Sequence, residues 1–284
     1  MKGKIKTVGV VGAGTMGQGI AISSSLAGYE TLLFDANAGF SEKALQFITQ
    51  SIEQSISKGK LTKGAGDDGL NRIRSVNNLS DLRADIIIEA VIENLEVKQK
   101  LFVDLEKINA DTTILATNTS SISITQIASA LQNPSRFIGL HFFNPAHLMK
   151  LVEVISGKQT DPDIGLAMMN FSKTLGKTAV EVKDSPGFIV NRVARHYYVE
   201  SLKLLEEGVS DVEGIDKLLR SSGFKMGPFE LMDLIGIDVN FAVTTSVYEG
   251  FNRNPKFKPS AIQKEKVDRG FLGRKTGRGF YVYK

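Results

Sequence analysis

The fold is decided by the stretch Val8-Gly9-Val10-Val11-Gly12-Ala13-Gly14-Thr15-Met16-Gly17. An apolar strand here runs into a Gly-x-Gly-x-x-Gly turn, and a helix of small and apolar residues is predicted over residues 18–27. Gly12 allows a tight turn, Gly14 lets the backbone approach a pyrophosphate, and Gly17 lets the helix pack closely on the strand. Phosphates then lie at the helix N-terminus, where unpaired N–H groups attract anions.

A second apolar strand supports the dinucleotide interpretation, because the glycine spacing alone also fits a turn in an unrelated α/β protein. Residues 30–34 read Glu-Thr-Leu-Leu-Phe and lead into Asp35, about 20 residues beyond the glycines. A carboxylate at that place accepts hydrogen bonds from the ribose 2′-OH and repels a 2′-phosphate. No arginine follows within several residues, so the sequence favours NAD over NADP.

Strands and helices alternate through the first half of the chain. Further buried strands are predicted at residues 84–90, 113–116 and 137–140, and helices at residues 41–58, 95–108 and 124–130. The looser stretch of residues 60–69 completes a predicted surface helical hairpin with the helix before it. This alternation predicts an α/β fold with a doubly wound, Rossmann-type parallel sheet.

The pattern changes after Asp184-Ser185-Pro186-Gly187. Long helices are predicted over residues 189–207, 212–221 and 229–247, and the next strand only at residues 279–283. The sequence therefore predicts a NAD-binding domain over residues 1–184, followed by an all-helical domain over residues 185–284.

The composition is that of a globular protein outside the membrane. Of the 284 residues, 42% are hydrophobic and 23% charged, and the net charge is +4, with scattered lysines. Nucleic acid is therefore a poor candidate partner, and a small anion is a better one. The apolar runs have strand length, so neither a membrane span nor a signal peptide is predicted. The absence of cysteine excludes disulfides and thiolate chemistry and fits a cytoplasmic location. We predict no metal site.

The chain has three histidines, of which His141 stands at a chemically informative place. It follows a predicted strand, and in a doubly wound sheet the carboxyl ends of the strands face the ligand crevice. Glu153 is the one carboxylate in the apolar segment Leu151-Val152-Glu153-Val154-Ile155, where a buried charge needs a partner. The Asn144-Pro145 turn can fold one segment back beside the other. The pair then acts as a general base and its orienting acid, and the alternative is a structural histidine.

Two further polar residues are candidates for contacts with substrate oxygens. Ser120 follows another predicted strand, and Asn191 opens the first helix of the second domain. The alternatives are that Ser120 is the N-cap of a helix beginning near Ile122 and that Asn191 faces solvent.

Eight motifs along the chain resemble those of one enzyme family. They are Val11-Gly12-Ala13-Gly14-Thr15-Met16-Gly17, Glu89-Ala90-Val91-Ile92-Glu93-Asn94, Asn118-Thr119-Ser120-Ser121, His141-Phe142-Phe143-Asn144-Pro145, Leu151-Val152-Glu153-Val154, Pro186-Gly187-Phe188-Ile189-Val190-Asn191-Arg192, Met226-Gly227-Pro228-Phe229-Glu230-Leu231 and Gly273-Arg274-Lys275-Thr276-Gly277-Arg278-Gly279-Phe280-Tyr281. The chain resembles the 3-hydroxyacyl-CoA dehydrogenases, in particular the short 3-hydroxybutyryl-CoA dehydrogenases.

The resemblance implies an NAD-dependent enzyme that interconverts (S)-3-hydroxyacyl-CoA and 3-ketoacyl-CoA and forms a homodimer through its C-terminal domain. It implies a catalytic dyad of His141 and Glu153, with Ser120 and Asn191 on the reacting oxygens. Near the CoA tail it places Ser51 and Lys58. The predicted cofactor contacts are Gly12, Gly14, Thr15, Met16, Gly17, Asp35, Glu93, Lys98, Asn118, Ser120, Asn144 and Lys275.

One position departs from the family pattern. The family usually has Asn-Pro-x-Pro-x-Met, whereas His147 replaces the second proline here. We interpret this as a tolerated surface change that leaves the dyad intact. Two alternative functions stay open: an NAD dehydrogenase of a free 3-hydroxy acid or sugar acid, and a non-catalytic NAD-binding protein.

Overall fold

The computed structural model describes residues 5–283. The chain folds as two compact units, Met1–Asp184 and Ser185–Lys284. Among the described residues, no helix combines the length and the apolar character that crossing a membrane requires.

The first unit is built on one sheet of eight strands, in the order β3-β2-β1-β4-β5-β6-β7-β8. The strands are β1 Thr7–Val11, β2 Glu30–Phe34, β3 Ile73–Ser75, β4 Ile86–Glu89, β5 Ile114–Thr117, β6 Phe137–Phe142, β7 Leu151–Ser156 and β8 Thr178–Lys183. Strands β1 to β6 pair in parallel, which confirms the predicted doubly wound fold. Strand β7 pairs antiparallel with β6 and parallel with β8, so the last two strands run in the opposite direction.

The helices of this unit cover the sheet. They are α1 Thr15–Leu26, α2 Ala38–Ser57, α3 Lys63–Asn71, α4 Leu95–Ile108, α5 Ile124–Ala128 and α6 Pro162–Thr174. Strand side chains of Val8 and Val10 form one core cluster with Ile20 of α1, Ile48 of α2 and Met168 of α6. Helices α2 and α3 contact each other, which confirms the predicted helical hairpin, and both also contact α1. Three elements, β3, α6 and β8, were not predicted from the sequence.

The other face of the sheet is covered partly by α4. Phe102 of α4 is fully buried and meets Phe137 of β6 edge to face, with ring centroids 4.7 Å apart. Such a pair contributes about 0.5–1.5 kcal/mol beyond its area burial. This contact packs α4 against β6.

The second unit is helical in its described residues. Its helices are α7 Val190–Glu206, α8 Val212–Ser221, α9 Pro228–Ile235, α10 Ile237–Gly250 and α11 Ala261–Asp268. Their core cluster contains Tyr198, Leu202, Ile215, Phe229 and Met232.

Two predictions for the second unit were wrong. The single helix over residues 229–247 is two helices, because Gly236 adopts a φ of +102° and ends α9. The strand over residues 279–283 does not form. The Asp233 carboxylate accepts the N–H groups of Phe280 and Tyr281, each at 2.9 Å, and so replaces a strand partner.

Candidate functional site

The glycine turn joins β1 to α1 at the carboxyl edge of the sheet. Gly12 has a φ of +99°, and a Cβ there would lie 2.6 Å from the Ala90 carbonyl oxygen. A Cβ on Gly17 would lie 1.7 Å from the Gly12 oxygen, so only glycine lets the helix approach the turn. A Cβ on Gly14, in contrast, would meet no atom within 4 Å. The space above Gly14 is therefore open to a ligand.

The start of α1 fits an anion. Gly14 is the N-cap and supplies no side-chain acceptor, and the first turn contains no acidic residue. Thr15 is exposed and Met16 is half-buried at this end. Because the first N–H groups of a helix lack intrahelical partners, this terminus attracts a phosphate. Helix α1 begins at Thr15 instead of the predicted Gln18, since the turn leads directly into the helix.

Asp35 follows β2 and is tied to the glycine turn. Its Oδ2 accepts the Ala13 N–H at 2.8 Å, and its Oδ1 accepts the Asn37 N–H at 2.9 Å. Asp35 therefore holds a carboxylate beside the turn, at the place where the sequence predicts a ribose contact.

His141 and Glu153 form a buried pair on neighbouring strands. They are direct register partners in the antiparallel pair β6–β7, which confirms that the Asn144-Pro145 turn folds the two segments together. His141 Nδ1 lies 2.8 Å from Glu153 Oε2, and the two residues are 5% and 1% exposed. His141 lies within β6 and not after it, because pairing with β7 extends the strand to Phe142.

The contact determines which imidazole nitrogen carries the proton. An ionised carboxylate only accepts hydrogen bonds, so Nδ1 of His141 is the donor. In the neutral ring Nε2 is then a proton acceptor, as a general base requires. Phe143 packs against the imidazole, with ring centroids 4.5 Å apart.

Ser120 lies in the loop that follows β5, and Glu93 holds this loop. Glu93 Oε1 accepts the N–H groups of Ser120 at 2.9 Å and Ser121 at 3.1 Å, and the Thr119 hydroxyl at 2.6 Å. The alternative in which Ser120 is the helix N-cap is wrong. Helix α5 starts later, with Ser123 as its N-cap.

The carboxylate of Glu93 is stabilised in its charged form. Burial by itself raises its pKa, but the nearby Lys98 ammonium and the hydrogen bonds from Thr119, Ser120 and Ser121 outweigh that effect. The pKa of Glu93 therefore lies below the ordinary value of 4.5. The loop keeps its charged acceptor at neutral pH.

Two asparagines and a histidine lie near the same edge. Asn118 Oδ1 accepts the Phe142 N–H at 2.8 Å and so links the end of β5 to the end of β6. Asn144 is exposed, in the cis bond to Pro145. His147 is half-buried, and burial together with the Lys177 ammonium lowers its pKa. His147 is thus neutral and only partly at the surface.

The remaining predicted residues lie apart from this edge or in the second unit. Ser51 is half-buried on α2, and Lys58 is the exposed C-cap of that helix. Asn191 is half-buried in the first turn of α7. Lys275 forms an ion pair with Asp238, with 2.7 Å between its Nζ and Asp238 Oδ2.

One charged residue at this edge was missed by the sequence interpretation. Glu89 ends β4, is fully buried and contacts Lys98. The sequence feature that could have identified Glu89 is a carboxylate in the apolar run Ile86-Ile87-Ile88-Glu89. The same feature indicated Glu153.

Two family models match this chain. The one described as 3-hydroxyacyl-CoA dehydrogenase, NAD binding domain, matches residues 7–185, and the one for the C-terminal domain matches residues 187–283. The chain belongs to the 3-hydroxyacyl-CoA dehydrogenase family. The resemblance seen in the motifs is confirmed, and the first unit corresponds to the NAD-binding domain of this dehydrogenase family.

Individual relatives agree with the family models. The 3-hydroxyadipyl-CoA dehydrogenase of Escherichia coli K12 is 46% identical over 282 residues, which cover 99% of this chain and 59% of that protein. The 3-hydroxybutyryl-CoA dehydrogenase of Bradyrhizobium diazoefficiens is 41% identical over 286 residues, covering 100% and 97% of the two chains. The crystal structure of (S)-3-hydroxybutyryl-CoA dehydrogenase from Ralstonia eutropha superposes with a TM-score of 0.95 at 41% identity, covering 99% and 100%. The chain thus spans about three fifths of the Escherichia coli relative and nearly all of the other two.

Proposed function

We propose that this chain is an NAD-dependent dehydrogenase that interconverts (S)-3-hydroxyacyl-CoA and 3-ketoacyl-CoA. The observation that carries the proposal is the buried 2.8 Å contact between His141 Nδ1 and Glu153 Oε2 in a member of this family. The relatives are named for 3-hydroxybutyryl-CoA and 3-hydroxyadipyl-CoA, so acetoacetyl-CoA is the first ketone substrate to test.

The dyad performs the proton transfer of this reaction. NAD, when bound, would supply the acceptor for the hydride that leaves C3 of the hydroxyacyl group. His141 Nε2 removes the proton of the 3-hydroxyl group in the oxidation and returns it to the carbonyl oxygen in the reduction. Glu153 fixes the tautomer and stabilises the imidazolium that forms.

Ser120 and Asn191 complete the proposed set of catalytic residues. Each offers a neutral donor to the oxygen on C3, which gains negative character as the carbonyl is reduced. Ser120 has support from the loop geometry, because Glu93 fixes the backbone on both sides of it. The proposed role of Asn191 is supported by its motif, which lies in the first turn of α7.

The cofactor residues are proposed from the geometry of the first unit. The glycine turn and the uncapped start of α1 suit the pyrophosphate, and Asp35 suits the adenosine ribose. Glu93, Lys98, Asn118 and Asn144 lie at the carboxyl edge of the sheet, where ligands bind in doubly wound folds. Lys275 is proposed as a cofactor contact from its motif alone.

The direct experiment is oxidation of (S)-3-hydroxybutyryl-CoA with NAD, followed by the absorbance of NADH. Free 3-hydroxybutyrate is the control for the CoA moiety. Turnover of the free acid in preference to the ester would favour the hydroxy-acid alternative. Binding of NADH without turnover of either substrate would favour a non-catalytic protein.

Asp35 is expected to determine cofactor preference. In Asp35→Asn the amide keeps the shape and still has an oxygen for the Ala13 N–H, but the charge that repels a 2′-phosphate is gone. The ratio of kcat/KM for NADH to that for NADPH should fall by about tenfold. This is the size expected when the ribose 2′-OH of NADH loses a hydrogen bond to a charged acceptor, which contributes about 1.5 kcal/mol. Steady-state kinetics with both cofactors measure it, and an unchanged ratio would place the selectivity elsewhere.

Lys58 is expected to contribute to binding of the CoA phosphates. Lys58→Ala should raise KM for acetoacetyl-CoA by roughly two- to fivefold, as for an exposed ion pair, and leave kcat unchanged. Lys60→Ala is the matched control, because Lys60 is also exposed but lies beyond the end of α2. The effect should weaken in high salt. Equal KM values for both variants would mean that Lys58 does not contribute to CoA binding.

We propose a homodimer formed through the C-terminal domain and a cytoplasmic location. The dimer is supported by large apolar side chains of the second unit that are 49–67% exposed, namely Val193, Leu218, Phe224 and Leu234. Sedimentation velocity that gives a monomer would contradict it. The location is supported by the absence of cysteine, and cell fractionation measures it.

A further inference from the structure

Glu89 is a fully buried carboxylate beside the glycine turn. It ends β4 and is the register partner of Val11, the last residue of β1. Its Oε1 accepts the Val91 N–H at 2.7 Å, and its Oε2 accepts the Thr117 hydroxyl at 2.6 Å. A charged group at such a depth remains ionised only when it is paired.

Lys98 supplies the opposite charge from α4. Its side chain is 1% exposed, and its Nζ lies 2.5 Å from Glu89 Oε1 and 3.3 Å from Glu93 Oε2. One buried ammonium thus bridges two carboxylates. Glu89 compensates the charge from inside the fold, and Glu93, whose side chain is 36% exposed, does so at the surface.

Glu93 connects Lys98 to the loop after β5. While its Oε2 faces Lys98, its Oε1 accepts the N–H groups of Ser120 and Ser121. A continuous chain of charged contacts and hydrogen bonds therefore runs from Glu89 through Lys98 and Glu93 to the backbone of Ser120.

We propose that Glu89 is a positioning residue for Ser120, acting through Lys98 and Glu93. The proposal rests on the proposed function in assigning Ser120 to the substrate oxygen. Glu89 keeps the Lys98 ammonium in one place, and Lys98 holds the Glu93 carboxylate in the orientation that binds the loop. The buried pair thereby sets the geometry of a catalytic hydroxyl through fixed charges and without touching the substrate.

Glu89→Gln removes the buried charge while keeping the shape of the side chain. Exchange of the Ser120 and Ser121 amide protons with solvent should become at least tenfold faster, because Glu93 loses its fixed orientation. The kcat with acetoacetyl-CoA should fall by at least tenfold. Amide exchange read by NMR or mass spectrometry, beside steady-state kinetics, measures both.

Glu106→Gln is the matched control. Glu106 also pairs with a buried cation, Arg136, and its carboxylate accepts the N–H groups of Gln132 and Asn133 at 2.9 Å each. Arg136 immediately precedes β6, at the amino edge of the sheet. This variant should leave kcat and the exchange at Ser120 unchanged.

A second variant distinguishes an effect on the position of Ser120 from an effect on folding. It is needed because Glu89→Gln leaves the buried Lys98 with only one of its two carboxylate partners and can destabilise the fold. Glu89→Leu combined with Lys98→Met removes both charges, and its thermal midpoint should recover towards that of the wild type. Fast exchange at Ser120 and Ser121 should persist in it. Exchange at the wild-type rate there would show that the pair serves folding alone and overturn the proposal. The exchange measurement decides this even if the wild-type chain turns over no acyl-CoA.

Discussion

Replacing His141 with alanine should lower kcat for reduction of acetoacetyl-CoA by about 10²- to 10⁴-fold, the range of general acid–base catalysis. The side chain is the proposed proton donor in this direction, and its Nδ1 is already bound to Glu153 at 2.8 Å. KM for NADH should stay within about threefold of the wild-type value, because the glycine turn and Asp35 are untouched. Steady-state kinetics measured by the disappearance of NADH provide both values.

His147→Ala is the matched control for this variant. It removes a second imidazole from the loop after β6, where burial and Lys177 keep the ring neutral. Its kcat should stay within about threefold of the wild-type value. If the His147 variant loses turnover and the His141 variant keeps it, the assignment of the base is wrong.

Replacing Glu153 with glutamine should lower kcat by roughly 10- to 150-fold, corresponding to about 1.5–3 kcal/mol for a hydrogen bond to a charged group. The amide keeps the volume of a side chain that is 1% exposed, so the fold should persist. The imidazolium loses its counter-charge, and the ring is free to take the other tautomer. The loss should appear in kcat and not in KM for acetoacetyl-CoA.

Glu153→Asp tests whether geometry matters beyond charge. The shorter side chain keeps the negative charge but draws it back from a contact of 2.8 Å. A dyad predicts reduced kcat in this variant as well. Full activity in both Glu153 variants would mean that His141 works without an orienting carboxylate.

The first half of the fold was predictable because its signals are local. A glycine turn between an apolar strand and a helix, followed by strand–helix alternation, specifies a doubly wound sheet. Strand β3 was missed because three residues carry too little pattern. The reversal of β7 and β8 follows from the short connection over residues 143–150, which leaves no room for the helical crossover that a parallel pair needs.

The candidate site was predictable only where the chemistry showed in the sequence. His141 and Glu153 stood out as a base at a strand end and a carboxylate in an apolar strand, and their register then followed from the turn between them. The connection from Glu89 to Ser120 was not predictable, because its members come from β4, α4 and the loop after β5. Partners 26–28 residues apart, such as Glu93 with Thr119 and Ser121, leave no periodic signal in the sequence.

The central claim is tested most directly by the oxidation of NADH with acetoacetyl-CoA, measured for the wild type beside His141→Ala. The proposed function predicts rapid, substrate-dependent loss of NADH absorbance in the wild type, at least 10²-fold slower in the variant and poor with free acetoacetate. Equal rates for the two proteins, or turnover of acetoacetate in preference to its CoA ester, would contradict it.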